Sequence, residues 1–376
     1  MWVTRLALGA RRSVRLDRVI DVGPPDGPQP RPVTTSRPLA RGVPAVTSLR
    51  AGASTGVGSL PHRSAREAAG FALSEYDVPA VPSLPRRSPA EGMIAQALVG
   101  IAGIRVVQYG SLALDPDAID PFAPVHTDLT DPSFHGMRAF LYAAYEAGYD
   151  QPIKWQFVGP VTLGVALVRA GVPDEVAFAV AARAVRSHVA AISVGIATAL
   201  PQCPQIVLID EPWFGDLMEP GFPIAPDPAI DMLSGAMASV SGVATVGVHC
   251  CATADVASLL AAGPDVLSIP VHARLAGVAG YLDRFLVGGG RVAWGVVPTD
   301  GPMFTSTERY WRELTDLWDE LVRRGADRDL LRATALVTPH CGLGSHTPVV
   351  AERVCRVARE IGRRINESGS IGDHRD

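Results

Sequence analysis

Long apolar runs, cysteine and lysine are all scarce in this chain of 376 residues. No uninterrupted apolar stretch reaches the roughly 18 residues that span a bilayer. The best, 189–200, is too short, so no membrane partner is expected. Five cysteines are too few, and an odd number, for a disulfide framework. A reducing, cytoplasmic setting is the expected one. A net charge of −4 gives no reason to expect a nucleic-acid partner. Of the 34 basic residues only Lys154 is a lysine, and the accompanying Arg, Ala and Pro bias reads as a coding bias. At 47% hydrophobic and 19% charged, the chain is too apolar to be disordered throughout.

Residues 1–50 stand apart. They hold nine Arg, three Asp and seven Pro, with no helical or strand period. Their balance of 9 − 3 = +6 leaves −10 for the rest. Arg11 and Arg12 follow a short apolar stretch instead of preceding one, and no clear cleavage site follows. The expectation is a disordered leader, or a start codon read too early, because Pro-rich, core-poor sequence cannot offset its ordering entropy. A second disordered segment is expected at 369–376.

From about Ala53 short Val- and Ile-rich runs alternate with longer helical stretches. Strands are predicted at 54–58, 78–81, 105–109, 153–158, 205–209, 243–249, 265–269, 291–297 and 333–338. The clearest helices are 64–76, 133–148, 174–200, 254–262, 307–324 and 348–365. Ser64 followed by Glu67 has capping-box spacing. Repeated βα units with apolar strands suggest a parallel sheet covered on both faces. With nearly eight units over 51–368, a single-domain α/β fold, the closed (β/α)8 TIM barrel, is the leading expectation. One of 78–81 and 105–109 is then an extra strand. An open doubly wound sheet is the runner-up, although no glycine-rich dinucleotide fingerprint opens a βα turn.

In such folds chemistry collects where strands end. The residues after the predicted strands are GSLPH (58–62), YGS (109–111), GPVT (159–162), DEPW (210–213), HCC (249–251), PTD (298–300) and PHCGLGSH (339–346). His249, Cys251 and Cys341 are the sharpest signal. His-x-Cys in extended chain places both side chains on one face, and Cys341 leaves the end of another strand. One nitrogen and two thiolates suit Zn²⁺, and three protein ligands with an open position is the catalytic form of a zinc site. The plainer alternative is a core histidine among inert cysteines. Cys250 should point away, and Cys203 and Cys355 read as packing residues. Asp210 and Glu211 are either cap or salt-bridge residues or, at a strand end, a site for a substrate ammonium. Gly58 and Ser59 offer backbone donors to a carboxylate. His62, His340 and His346 are candidate partners of zinc ligands, and His272 is a possible fourth ligand.

The motifs GSLP, YGS, GPVT, IDEP, HCC with PDVLSI, and PHCGLGS follow the order found in the catalytic barrel of cobalamin-independent methionine synthase, and residues 54–365 resemble that family. The resemblance implies a barrel related to uroporphyrinogen decarboxylase, zinc on His249, Cys251 and Cys341, and homocysteine near Ser59 and Asp210. Candidate substrate-binding residues are then Gly58, Ser59, Tyr109, Ser111, Asp210 and Glu211, and candidate catalytic residues are Asp210 and Asp300. The implied activity is methyl transfer from a methylated folate to homocysteine, giving methionine; a corrinoid protein is an alternative methyl donor.

Three positions depart from the family. Pro270 stands where the family has a fourth zinc ligand, Leu84 where it has an amino-acid-binding Glu, and Asp300 about where it has a proton-donating His. The family's folate enzymes also carry a second, N-terminal barrel, for which 376 residues leave no room. Alkyl transfer to a thiol is therefore better supported than methyl-folate as donor. The alternatives are transfer to another thiol, as in epoxide:coenzyme M transferases, a metal-free decarboxylase, and a catalytically degenerate barrel that binds a partner. Cys251 and Cys341 argue against the decarboxylase, which needs no thiols. Nothing in the sequence bears on oligomeric state.

Overall fold

The computed structural model describes residues 49–107, 112–301 and 306–370. The expected leader falls outside them except for its last two residues, the expected tail except for Gly369 and Ser370, and Tyr109 and Ser111 lie wholly outside. All described residues fall within one compact unit, Gly42–Asp376.

The described residues begin with a short strand β1 (Ala53–Ser54) and helix α1 (Ala65–Glu75). The hydroxyl of Ser64 accepts the Glu67 amide at 3.3 Å, so the predicted cap forms. Then come α2 (Met93–Ala97), the strands β2 (Ile104–Val106) and β3 (Leu112–Leu114), and α3 (His135–Glu146). From β4 (Ile153–Val158) the alternation is regular. It runs through α4 (Pro160–Ala170), α5 (Asp174–Ala199), β5 (Gln205–Asp210), α6 (Pro226–Ala238), β6 (Thr245–His249), α7 (Val256–Ala261) and β7 (Val266–Pro270). It ends with α8 (Ala279–Val287), β8 (Arg291–Val297), α9 (Thr307–Arg323), α10 (Arg328–Ala333), β9 (Ala335–Pro339) and α11 (Pro348–Ser370).

The main sheet corrects the expected closed barrel. It has seven strands in the order β1-β9-β8-β7-β6-β5-β4, all neighbours parallel, and it is curled but open between β1 and β4. The predicted strand 78–81 runs through the gap without becoming a strand. It makes only isolated bridges, Val78 to Thr55 and Ala80 to Lys154, with Ser83 to Ser59 beyond. Proline is the reason. Pro79 and Pro82 have no amide hydrogen to donate, so a continuous eighth ladder cannot form there. Of the other doubtful strand, 105–109, Arg105 and Val106 lie in β2, which pairs antiparallel with β3 outside the main sheet.

Strand alternation divides the core. Ala53, Val78, Ile206, Leu208, Val266, Ala293 and Leu336 pack together inside the curl. Trp155, Val207, Val248 and Trp294, of the opposite parity, join the larger core under the helices. Each such Val, Leu or Ile side chain contributes roughly 1.5–3 kcal/mol on burial. Helix α5, at 26 residues, is long and apolar enough by composition to cross a membrane, which the apolar run at 189–200 alone does not reveal. Its Ala177, Ala181, Val185, Val189, Ile192 and Ile196 are instead buried core residues. The curl places the carboxyl ends of β1, β5, β6 and β9 around one mouth, the place where open parallel sheets bind ligands.

Candidate metal centre

β6 ends on His249 and β9 just before His340 and Cys341. His249 is 3% exposed. Its register partner on β7, Ser268, meets it at 2.9 Å between Oγ and Nδ1. That contact occupies one ring nitrogen and fixes the ring plane. The other, Nε2, is buried and has no partner among the described residues. The ligand atoms of His249, Cys251 and Cys341 all lie within 4.8 Å of one another. These residues form a cluster capable of holding a metal ion: a buried orphan imidazole nitrogen converges with two sulfurs. The hydrogen bond between the two thiols lowers Cys341, aided by His249, and raises Cys251, which burial raises further. The thiolate is the metal-binding form.

The remaining cysteines separate as expected. The Cys250 thiol turns toward the carbonyls of Ala252 and Pro212 at 3.7 and 4.0 Å, and burial pushes it up to about 12. Cys203 faces the Tyr149 carbonyl at 3.2 Å, and Cys355 is buried in α11.

A cavity of about 290 Å³ opens beside the cluster. Its walls include Val57, Ser59, Met93, Gln96, Gln156, Phe157, Asp210 and Pro212, with all three cluster residues. Asp210 is 8% exposed, and its Oδ1 has no partner among the described residues. Burial raises its carboxyl, while His249 and Lys154 pull it down. Lys154 is fully buried; burial lowers its ammonium and Asp210 opposes that.

Two glycines make the rim possible. Gly58 has φ +147°, and a Cβ there would lie 1.9 Å from Gln156 Nε2. A Cβ on Gly342 would lie 2.1 Å from Ser59 Oγ. The turns GSLP and CGLG therefore stack directly. The Ser59 carbonyl accepts the Leu343 amide at 2.8 Å, and its hydroxyl accepts the Gly344 amide at 3.2 Å.

Not every predicted residue joins the site. Glu211 does not line the cavity. Its carboxylate accepts the Val161 amide at 2.9 Å and the Thr162 amide and hydroxyl at 2.7 and 2.6 Å, capping the first turn of α4. Burial pushes it up to about 7 against those bonds. A Cβ on Gly159 would come 2.1 Å from Glu211 Oε1, so this cap too needs a glycine. Asp300 is exposed outside the cavity, where its charge raises His340 against a larger lowering by burial. His62 stacks on Phe71 at 4.9 Å. The His346 carbonyl accepts Arg86 at 2.5 Å. His272 lines a separate cavity with Glu313, Asp316 and Glu320, and so does not complete the cluster.

Ser268, Lys154 and Gln156 are site residues that the sequence reading passed over. Their signal was parity: Lys154 and Gln156 are the two polar residues of an otherwise apolar strand, and they share one face. No protein-family model matches this chain, and no curated protein matches it.

Proposed function

We propose that this chain is a zinc-dependent transferase that moves a methyl group onto a thiol, with homocysteine as acceptor and methionine as product. The observation that carries the reading is the His249–Cys251–Cys341 cluster, with its unpartnered Nε2, at the wall of a cavity that also holds the unpartnered Oδ1 of Asp210. The motif order from GSLP to CGLGS supports it as well.

The chemistry zinc supplies in such a donor set is deprotonation of a coordinated thiol to the nucleophilic thiolate. His249, Cys251 and Cys341 would hold the ion and leave a fourth position for substrate. Ser268 holds the His249 ring so that Nε2 faces the cluster. Asp210 Oδ1 is an acceptor for the substrate ammonium. Ser59 offers its amide and hydroxyl to the carboxylate. A methyl-folate donor leaves as an amine and needs a proton, whereas a methylated corrinoid leaves without one. The exposed position of Asp300, away from the cavity, favours the corrinoid.

Leu84 favours a second reading, alkyl transfer to a thiol such as coenzyme M. It is fully buried and offers no carboxylate of its own; the buried Glu91, which accepts the Leu84 amide at 3.2 Å, stands beside it on the cavity wall instead. The test is metal analysis joined to a transfer assay. The purified chain should carry about one zinc, lose it on Cys341→Ala, and form methionine from homocysteine with methylcobalamin or methyltetrahydrofolate. Metal-free protein whose thiol binding survives Cys341→Ala would sink the proposal.

A further inference from the structure

Gln156 lies against the Gly58–Ser59 turn, on the cavity wall. Its orientation is fixed by chemistry. Lys154 Nζ donates to Gln156 Oε1 at 2.9 Å and to the Val57 carbonyl. An ammonium is a donor only, so the amide oxygen must face it. Nε2 is thereby turned the other way, where one of its hydrogens meets the Val81 carbonyl at 3.2 Å. Its second hydrogen remains for a ligand. Both hydrogen-bond acceptors of Lys154 are neutral, and the carboxyl that acts on its charge is that of Asp210. The cavity thus carries the carboxyl groups of Asp210 and Glu91 together with donors on Gln156 and Ser59.

We propose that Gln156, aimed by Lys154, is a specificity-determining residue that binds the anionic end of the substrate and selects thiols bearing a carboxylate. The assignment rests on the thiol-transferase reading above. Gln156 is the group that touches substrate; Lys154 is a positioning residue.

The test compares homocysteine with 3-aminopropane-1-thiol, the same molecule without its carboxylate, as ligands of the zinc-loaded full chain by calorimetry. The wild type should bind homocysteine at least ~10-fold more tightly, the scale of a hydrogen bond to a charged group. Gln156→Leu should lower the ratio several-fold, the Ser59 contact remaining, with zinc content as the control. Lys154→Met frees the amide to turn over and should lower the ratio too; because it also removes a charge that acts on Asp210, Gln156→Leu is the deciding variant. If Lys154→Met does not fold, Gln156→Leu decides alone. A ratio unchanged in Gln156→Leu overturns this inference and leaves the proposed function standing. A wild type in which neither thiol binds overturns both.

Discussion

Lowering the pH should loosen one wall of the cavity through His188. This residue lies on α5 and is fully buried. Its Nε2 meets the Ala97 carbonyl at 3.1 Å and its Nδ1 the Thr127 hydroxyl at 2.8 Å. Its ring also contacts Phe157, with centroids 5.4 Å apart. It therefore pins α2, which supplies Met93 and Gln96 to the cavity, against α5. Burial is the largest cause of a pKa drop from 6.5 to about 4, against the Ala97 and Val99 carbonyls, which raise it. The folded state thus favours the neutral ring. The stability it contributes is fully present above pH 6.5 and is lost as pH falls through about 4. The full difference of about 2.5 units corresponds to roughly 3 kcal/mol, of which about 2 kcal/mol is gone by pH 5. Urea unfolding of the wild type and His188→Gln at pH 7.5, 6 and 5 isolates it from other titrating groups. The wild type should lose about 2 kcal/mol more than the variant over that range. Parallel losses would refute the reasoning.

Further outcomes follow from the site. Ser268→Ala should weaken zinc affinity about 10- to 100-fold, by competition with a chelator, because His249 loses the partner that orients it. Glu211→Ala should cost roughly 3 kcal/mol or more in urea unfolding, since three buried donors at the start of α4 lose their acceptor; Glu211→Gln, which keeps one acceptor oxygen, should cost less. Cys250→Ser should keep its zinc, because the Cys250 thiol faces away from the cluster; metal analysis showing loss would move Cys250 into the ligand set.

Much of the sheet was legible. β4 and β8 form at the predicted 153–158 and 291–297, where buried apolar runs are bounded by Pro152 and Gly159 and by Gly290 and Pro298. Closure was not legible from counting βα units. It depends on whether 78–83 can supply a continuous ladder, and two prolines prevent that. Helix α4 was missed because residues 160–165 are all buried, so no polar face marks its period. In the site, His249, Cys251 and Cys341 stood out because thiols and imidazole are rare and cap apolar strands. Asp210 and Glu211 were each open to a cap or a site role, and only the structure separates them: Asp210 faces the cavity while Glu211 turns to the amides of α4. Ser268 could not be singled out, because only strand register shows that it lies opposite His249.

The central claim is that a substrate thiol takes the fourth position on a metal held by His249, Cys251 and Cys341. Zinc-edge X-ray absorption of the loaded protein tests it directly. Without substrate the shell should contain two sulfurs, from Cys251 and Cys341, at about 2.3 Å. Addition of homocysteine should raise the count to three. A two-sulfur shell that no thiol changes would contradict the account.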